Sequence, residues 1–219
     1  MESVSNHWDV LRRAMVNTQL RARGIRDPRV LEAMEAIPRH EFLPPQERLR
    51  AYDDSPVAIG FGQTISQPYI VAYMSELLQV ASDHKVLEVG SGCGYQTAIL
   101  ARLARQVFTI EIHAPLIEEA AARLESMGLT NIYYDLRNGC DGWPEFAPFD
   151  RIIVTAGAAF IPQPLLGQLA ITGRMIIPVE ARRNEQVLKL VEKPDAFRID
   201  IHDMIPVRFV PLVHKPEES

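Results

Sequence analysis

Short apolar runs alternate with helical patterns from residue 85 onward, and this order limits the possible folds more than any other feature of the chain. The predicted strands cover residues 85–89, 107–111, 131–136, 150–155 and 174–179. The predicted helices between them cover residues 95–104, 115–127 and 164–169. Strands that alternate with helices in this way form parallel sheets with right-handed crossovers. The sequence therefore predicts an α/β fold with a Rossmann-like, doubly wound, mostly parallel sheet.

The C-terminal part of the chain follows a different pattern. Two apolar stretches, at residues 186–192 and 204–213, leave little room for a helix between them. Strands that follow each other without a crossover helix pair in antiparallel fashion. We expect an antiparallel pair at one edge of the sheet.

The first 80 residues are predicted to be mainly helical. Apolar residues recur at helical spacing over residues 7–22, and Asp27-Pro28 has the form of an N-cap followed by proline at the first helical position. Pro68 opens a third helix after an irregular stretch that contains a turn at Gly60-Phe61-Gly62. We expect residues 1–80 to pack as a helical segment on a ligand-binding core of residues 81–219, the two forming one compact unit.

Charge and composition disfavour several classes of protein. The chain has 23 basic and 28 acidic residues, for a net charge of −5, whereas nucleic-acid binders usually have a basic balance. The first twenty residues lack an apolar signal core, and no apolar stretch approaches the roughly 20 residues of a membrane span. We therefore expect a cytoplasmic, monomeric protein with no nucleic-acid or membrane partner. The two cysteines, Cys93 and Cys140, cannot form a CxxC metal site, and we expect no metal cofactor.

A glycine-rich loop follows the first predicted parallel strand. It has the pattern E-x-G-x-G-x-G from Glu88 to Gly94, and Glu111 ends the next strand, about 20 residues after the first glycine. In open α/β sheets the ligand crevice lies at the carboxyl ends of the strands, and an acidic residue at this position can bind the hydroxyls of a ribose. The pattern predicts a ligand that contains adenosine, although the loop alone could be a tight turn.

The details of the loop distinguish between such ligands. The dinucleotide fingerprint G-x-G-x-x-G requires glycine at position 95, which is tyrosine here, and the chain has no G-x-x-x-x-G-K-[ST] phosphate loop. Glu88 would repel a diphosphate but would suit a cationic ligand. The sequence therefore favours S-adenosylmethionine, which carries a sulfonium and no phosphate, over a dinucleotide.

Polar side chains also cluster before the third predicted helix. Thr64, Ser66 and Gln67 lie just ahead of Pro68. On local grounds alone, the favoured interpretation is that they cap this helix.

Two runs resemble the protein-L-isoaspartate O-methyltransferase family. They are GQTISQPYIVAYMSELL and KVLEVGSGCGYQTAILARL, and the similarity extends to MVNTQLRARGIRDPRVLEAMEAIPRHEFLP, APFDRIIVTAGA and the closing VRFVPLV. The run T-I-S-Q-P at residues 64–68 is quite specific to the family, whereas the glycine loop occurs in many methyltransferases. The resemblance implies S-adenosylmethionine as methyl donor and an L-isoaspartyl residue in a damaged peptide or protein as acceptor.

The resemblance also implies roles for particular residues. The family's active-site serine falls on Ser66, and we expect Thr64 to assist it. The implied cofactor contacts are Gln63, Ile65, Glu88, Gly90, Ser91, Gly92, Cys93, Glu111 and Ile112. The methyl ester formed by the family cyclises to a succinimide, which partly hydrolyses to normal aspartate, so the reaction is a repair.

One stretch departs from the family pattern, which has G-D-G, two further residues and then G-[WY]. Here the run Gly139–Trp143 is about two residues short when Gly139 is taken as its start. Either Cys140 replaces the acidic residue or Asp141 fills its place from a shifted loop. We expect Cys140, Asp141 and Gly142 to lie at the adenine.

Other functions remain open on the sequence. The enzyme could methylate another carboxylate, or the protein could bind isoaspartyl groups without turning them over. Base N-methylation is disfavoured, because the N/D-P-P-Y-like motif of such enzymes is replaced by the run Thr155–Ala158, which offers neither the amide nor the aromatic ring.

Overall fold

The computed structural model describes residues 2–182 and 185–213. Its main feature is a seven-stranded sheet. The strands are β3 (Lys85–Val89), β4 (Gln106–Glu111), β5 (Ile132–Leu136), β6 (Phe149–Val154), β7 (Leu169–Arg182), β8 (Glu185–Lys193) and β9 (Asp200–Val207). Their order across the sheet is β5-β4-β3-β6-β7-β8-β9. Five strands from β5 to β7 pair in parallel, and β8 and β9 continue the sheet in antiparallel fashion. The predicted α/β class with an antiparallel C-terminal edge is confirmed.

The strand order places a crevice at the middle of the sheet. The chain runs from β3 outward to β4 and β5, and then returns to β6 on the other side of β3. Ligands of doubly wound sheets bind outside the carboxyl ends of the strands at such a reversal. The ends of β3, at Val89, and of β6, at Val154, therefore mark the expected ligand site.

Helices cover both faces of the sheet. They are α1 (Glu2–Met15), α2 (Pro28–Ala36), α3 (Pro68–Leu78), α4 (Tyr95–Leu103), α5 (Ala114–Ser126) and α6 (Gln163–Gln168). Neighbouring residues of β3 contribute to different cores: Val86 packs in a cluster that includes residues of α1 to α5, whereas Leu87 and Val89 pack with Leu165 of α6. This alternation is the consequence of side chains that point to opposite faces of a strand.

The N-terminal helices differ from the predicted ones mainly at their ends. The first continues beyond Met15 as a π-helical turn over Val16–Leu20 and a 3-10 turn over Arg21–Arg23, and it ends at Gly24 in the left-handed region. Asp27 caps α2 as predicted, because its side chain accepts a hydrogen bond of 2.9 Å from the backbone N–H of Arg29. No helix of the described residues has the length and apolar character needed to cross a membrane.

A short hairpin before α3 was not predicted. Strands β1 (Val57–Gly60) and β2 (Gln63–Ile65) pair in antiparallel fashion around the turn that the glycines indicated. Strands of four and three residues are too short to show an alternation of apolar and polar residues. The hairpin matters for function because it carries Gln63, Thr64 and Ile65 to the crevice.

Candidate functional site

A cleft of about 860 Å³ lies at the carboxyl ends of β3 and β4. Many of the residues that the sequence singled out line it together: Gln63, Thr64, Ile65, Ser66, Gly90, Ser91, Gly92, Cys93, Glu111 and Ile112. The hairpin, the glycine loop and the end of β4 thus meet around one space.

The glycine loop approaches the neighbouring strands closely. Gly90 has a φ of 95°, and a Cβ atom built on it would lie 2.5 Å from Oγ1 of Thr155. The Thr155 hydroxyl donates to the Gly90 carbonyl oxygen at 2.5 Å, and the Gly90 N–H donates to the carbonyl oxygen of Ile110 at 2.8 Å. Only glycine fits at this position, so the loop backbone itself forms the wall of the cleft.

Glu111 holds the loop and the start of α5 together. Its Oε2 atom accepts a hydrogen bond from the N–H of Gly92 at 3.0 Å, and its Oε1 atom accepts from the N–H groups of Ile112 at 2.8 Å and His113 at 3.1 Å. The side chain is buried yet lines the cleft. A carboxylate has about four acceptor positions, so about one of them remains for a hydroxyl group of a ligand.

Glu88 does not line the cleft, contrary to the sequence-based expectation of a direct contact. It is fully buried, and its Oε2 atom accepts hydrogen bonds of 2.6 Å from the hydroxyls of Thr97 in α4 and Thr109 in β4. Its Oε1 atom has no hydrogen-bond partner among the described residues. Burial raises the pKa of Glu88 to about 7, because a carboxylate away from water is disfavoured. Glu88 supports the strand that precedes the glycine loop.

The loop after β5 also differs from the expectation. Cys140, Asp141 and Gly142 do not line the cleft, whereas Arg137 and Gly139 do. The reason is a buried side chain in α6: Nε2 of Gln168 donates to the Asp141 carbonyl oxygen at 2.7 Å, and its Oε1 accepts from the Trp143 N–H at 2.7 Å. These two bonds hold residues 141–143 against α6 and away from the crevice.

A second register of the loop after β5 fits the same pattern without a gap. Counting back from Gly142-Trp143 places Arg137, Asn138 and Gly139 at the three G-D-G positions. In that register Asn138 occupies the acidic position, and Arg137 and Gly139 are the residues that line the cleft.

A second cleft of about 910 Å³ adjoins the first at Ser66. Thr64, Ser66, Thr155 and Val210 line both clefts. The second is also lined by Pro56, Gln67, Ile70 and residues 206–209. Its far wall is the segment after β9, which Gly157 fixes by donating to the Val210 carbonyl oxygen and accepting from the Leu212 N–H, both at 2.8 Å. Ser66 therefore lies where two spaces meet.

The helix-capping interpretation of this segment does not agree with the structure. Gln67 occupies the N-cap position of α3, and no side chain of the described residues caps that helix. Nε2 of Gln67 instead donates to the Asp54 carbonyl oxygen at 3.0 Å. Ser66 and Thr64 thus line the clefts, and their side chains do not cap α3.

Several residues of the clefts were not found from the sequence. Thr155 directly follows the carboxyl end of β6, the strand next to β3. Its position in the sequence could therefore have indicated that it lines the cleft. Arg137 is held by two hydrogen bonds of 2.9 Å to Glu145, and Asp135 also contacts it. The segment 210–213 gave no local signal, because only the folded chain brings it beside the glycine loop.

Comparison with known proteins agrees with this geometry. The family model described as protein-L-isoaspartate(D-aspartate) O-methyltransferase matches residues 11–217. A protein-L-isoaspartate O-methyltransferase of Picosynechococcus sp. is 50% identical over 202 residues, which are 92% of this chain and 90% of the relative. A protein-L-isoaspartate O-methyltransferase 2 of Nitrosococcus oceani is 52% identical over 191 residues, 87% of each chain.

Solved structures give the same result. One described as a protein-L-isoaspartate O-methyltransferase superposes with a TM-score of 0.82 at 29% identity, and the match covers 93% of this chain and 66% of that chain. Another, described as such an enzyme from Plasmodium falciparum in complex with S-adenosyl-L-homocysteine, has a TM-score of 0.80 at 26% identity, over 92% of this chain and 98% of that chain.

Proposed function

Because this chain belongs to the protein-L-isoaspartate O-methyltransferase family, we propose that it methylates the free carboxylate of L-isoaspartyl residues in damaged peptides and proteins, with S-adenosylmethionine as donor. The methyl ester then cyclises to a succinimide, which starts the repair. The observation that carries the proposal is the junction of the two clefts at Ser66.

The residues of the first cleft fit the cofactor. The Glu111 carboxylate keeps an acceptor position for a ribose hydroxyl, and the glycine loop lets the ligand approach the backbone. Ile65, Val71, Met74 and Ile110 add apolar surface. When bound, the cofactor would supply a methyl group on a positively charged sulfur.

The acceptor carboxylate would enter through the second cleft. The free carboxyl group of an L-isoaspartyl residue is its α-carboxyl, because the side-chain carboxyl forms the peptide bond. An α-carboxyl ordinarily has a pKa of about 3.5, so the acceptor is ionised at pH 7 and needs no general base. The Ser66 hydroxyl would donate a hydrogen bond that orients the carboxylate, and Thr64 would assist. The work of the protein is then to align two reactants and exclude water.

The cellular location, oligomeric state and partners of the protein are also part of the proposal. We propose a cytoplasmic monomer that binds neither nucleic acid nor membranes; the net charge of −5 supports the lack of a nucleic-acid partner.

The proposed activity is tested by incubating the protein with an L-isoaspartyl peptide and methyl-labelled S-adenosylmethionine, and counting base-labile methyl ester. Calorimetry with S-adenosyl-L-homocysteine runs in parallel. Ester formation that Ser66→Ala reduces supports the proposal. Binding of S-adenosyl-L-homocysteine without ester formation would instead indicate another acceptor or a protein that only binds, and loss of both would contradict the cofactor assignment.

A further inference from the structure

Arg39 is a fully buried arginine behind the proposed acceptor site. It lies in the 3-10 turn Arg39–Phe42, and none of its surface is exposed. Arginine is almost never fully buried unless it has a partner for its charge. Packing alone therefore does not explain why an arginine occupies this position.

The partners of Arg39 are backbone carbonyl groups. Its Nε atom donates to the carbonyl oxygen of Ala51 at 2.7 Å, and its Nη2 atom donates to that of Ser66 at 2.8 Å. The guanidinium lies over the ring of Tyr95, with Cζ 4.9 Å from the ring centre. Its Nη1 atom is buried with no hydrogen-bond partner in the described structure. Burial lowers the pKa of the Arg39 guanidinium, since the cation is removed from water.

Such an arrangement is costly for a purely structural side chain. A buried charge requires hydrogen bonds for its donors, and an apolar residue of similar size would fill the same space without that cost. The two carbonyl bonds are the feature that an apolar residue could not replace.

The bridge joins the segment that carries Ser66 into the acceptor cleft to a segment outside the cleft lining. Ala51 follows the 3-10 turn Pro45–Arg50, and Ser66 connects β2 to α3. A second link runs between the same segments, from Gln67 to the Asp54 carbonyl oxygen. The backbone on which the Ser66 hydroxyl is mounted is thus attached to the segment 51–54 at two adjacent residues.

We propose that Arg39 is a positioning residue for methyl transfer, because its bridge between the Ala51 and Ser66 carbonyl oxygens fixes the place of the Ser66 hydroxyl. The inference depends on the proposed function. Displacement of an orienting group by about 1 Å can lower a rate about a hundredfold even when the altered residue is remote from the reacting atoms. Lysine retains the charge but has one nitrogen, so it lacks the planar fork that reaches both oxygens.

The test compares Arg39→Lys and Arg39→Met with a matched control, Asn131→Ala. Asn131 also donates to backbone carbonyl oxygens, those of Ala101 at 3.0 Å, Ala104 at 3.1 Å and Arg105 at 3.4 Å, but it lines neither cleft. For each variant we would measure kcat and KM for an isoaspartyl peptide, the Kd of S-adenosyl-L-homocysteine and the Tm.

We expect kcat/KM to fall about tenfold in Arg39→Lys and about a hundredfold in Arg39→Met, with the Kd of S-adenosyl-L-homocysteine within about twofold of wild type. Asn131→Ala should lower the Tm while keeping kcat/KM within about twofold, because it leaves Ser66 in place. If Arg39 had only a structural role, its variants would lower kcat/KM and raise the Kd of S-adenosyl-L-homocysteine together, in proportion to the loss of Tm.

Wild-type kcat/KM in Arg39→Lys would overturn the inference, as would a loss of S-adenosyl-L-homocysteine affinity that equals the loss of kcat/KM. If Arg39→Met does not fold, Arg39→Lys decides the question by the same two criteria. An inactive wild-type protein would overturn the proposed function and this inference together. An active wild type with a fully active lysine variant would overturn the inference alone.

Discussion

The Glu111 carboxylate accepts a hydrogen bond of 3.0 Å from the backbone N–H of Gly92, so the acidic end of β4 is attached to the glycine loop that follows β3. The two motifs that predicted an adenosine ligand from the sequence are therefore one structural unit. A ligand that contacts the loop also meets the carboxylate, which is the arrangement expected at the crevice of a doubly wound sheet.

Glu111→Ala should weaken cofactor binding more than it lowers turnover at saturation. Hydrogen bonds to a charged group contribute about 1.5–3 kcal/mol, so the Kd of S-adenosyl-L-homocysteine should rise at least about tenfold. Glu111→Gln, which keeps one acceptor oxygen, should show a smaller rise. Calorimetry measures both, and an unchanged Kd in Glu111→Ala would rule out the ribose contact.

Ser66→Ala should lower turnover by more than it weakens cofactor binding. If the Ser66 hydroxyl orients the acceptor as proposed, its loss should reduce kcat about tenfold or more, with little change in the Kd of S-adenosyl-L-homocysteine. Thr64→Ala should have the same effect to a smaller degree. Steady-state kinetics and calorimetry on the same preparations separate the two quantities, and equal losses in both would show that Ser66 only supports the local fold.

Glu88 should make the stability of the protein depend on pH. Burial raises its pKa in the folded state from 4.5 to about 7. The folded protein thus binds this proton more tightly than the unfolded chain does. The stability that the protonated group contributes is complete below about pH 4.5, and it is lost as the pH rises through about 7.

Glu88→Gln, whose side chain does not titrate, removes this dependence. The free energy of unfolding of the variant relative to wild type should increase by up to about 3 kcal/mol between pH 4.5 and pH 8. Urea unfolding of both proteins at several pH values measures the difference. A difference that stays constant with pH would show that Glu88 is ionised throughout.

Gly142→Ala should destabilise the loop that Gln168 holds. Gly142 has a φ of 64°, and an added Cβ atom would lie 2.4 Å from Oε1 of Gln168. Strain and overpacking together should lower the free energy of unfolding by about 2–4 kcal/mol.

Gly128→Ala is the matched control for Gly142→Ala, because Gly128 has a φ of 74° with no atom within 4 Å of the added Cβ. Its cost should be only about 1–2 kcal/mol. Urea unfolding measures both variants. Equal losses of unfolding free energy would mean that the loop after β5 accommodates the Cβ atom of Gly142→Ala without overpacking.

The parallel core could be predicted because its signals are local. Each buried strand from β3 to β6 is a short apolar run between turn residues, and Asp27 ahead of Pro28 marks the start of α2 by its own hydrogen-bonding capacity. The family resemblance was confirmed because its motifs span almost the whole chain.

The remaining features depend on contacts between distant residues. Cys140, Asp141 and Gly142 were expected at the cleft because the contacts of Gln168 with Asp141 and Trp143 join residues that no local pattern relates. Glu88 was expected at the ligand because the sequence shows its neighbours in the chain but not Thr97 and Thr109, which surround its carboxylate. The bridge from Arg39 to Ser66 was missed for the same reason.

The central claim is methyl transfer to an isoaspartyl carboxylate, and the most direct test compares two peptides that differ only in that residue. One contains L-isoaspartate and the other L-aspartate, and each is incubated with the protein and methyl-labelled S-adenosylmethionine. The account predicts base-labile methyl ester on the isoaspartyl peptide, with a kcat/KM at least about a hundredfold above that of its twin. Equal labelling of the two peptides, or no labelling of either by a protein that binds S-adenosyl-L-homocysteine, would contradict it.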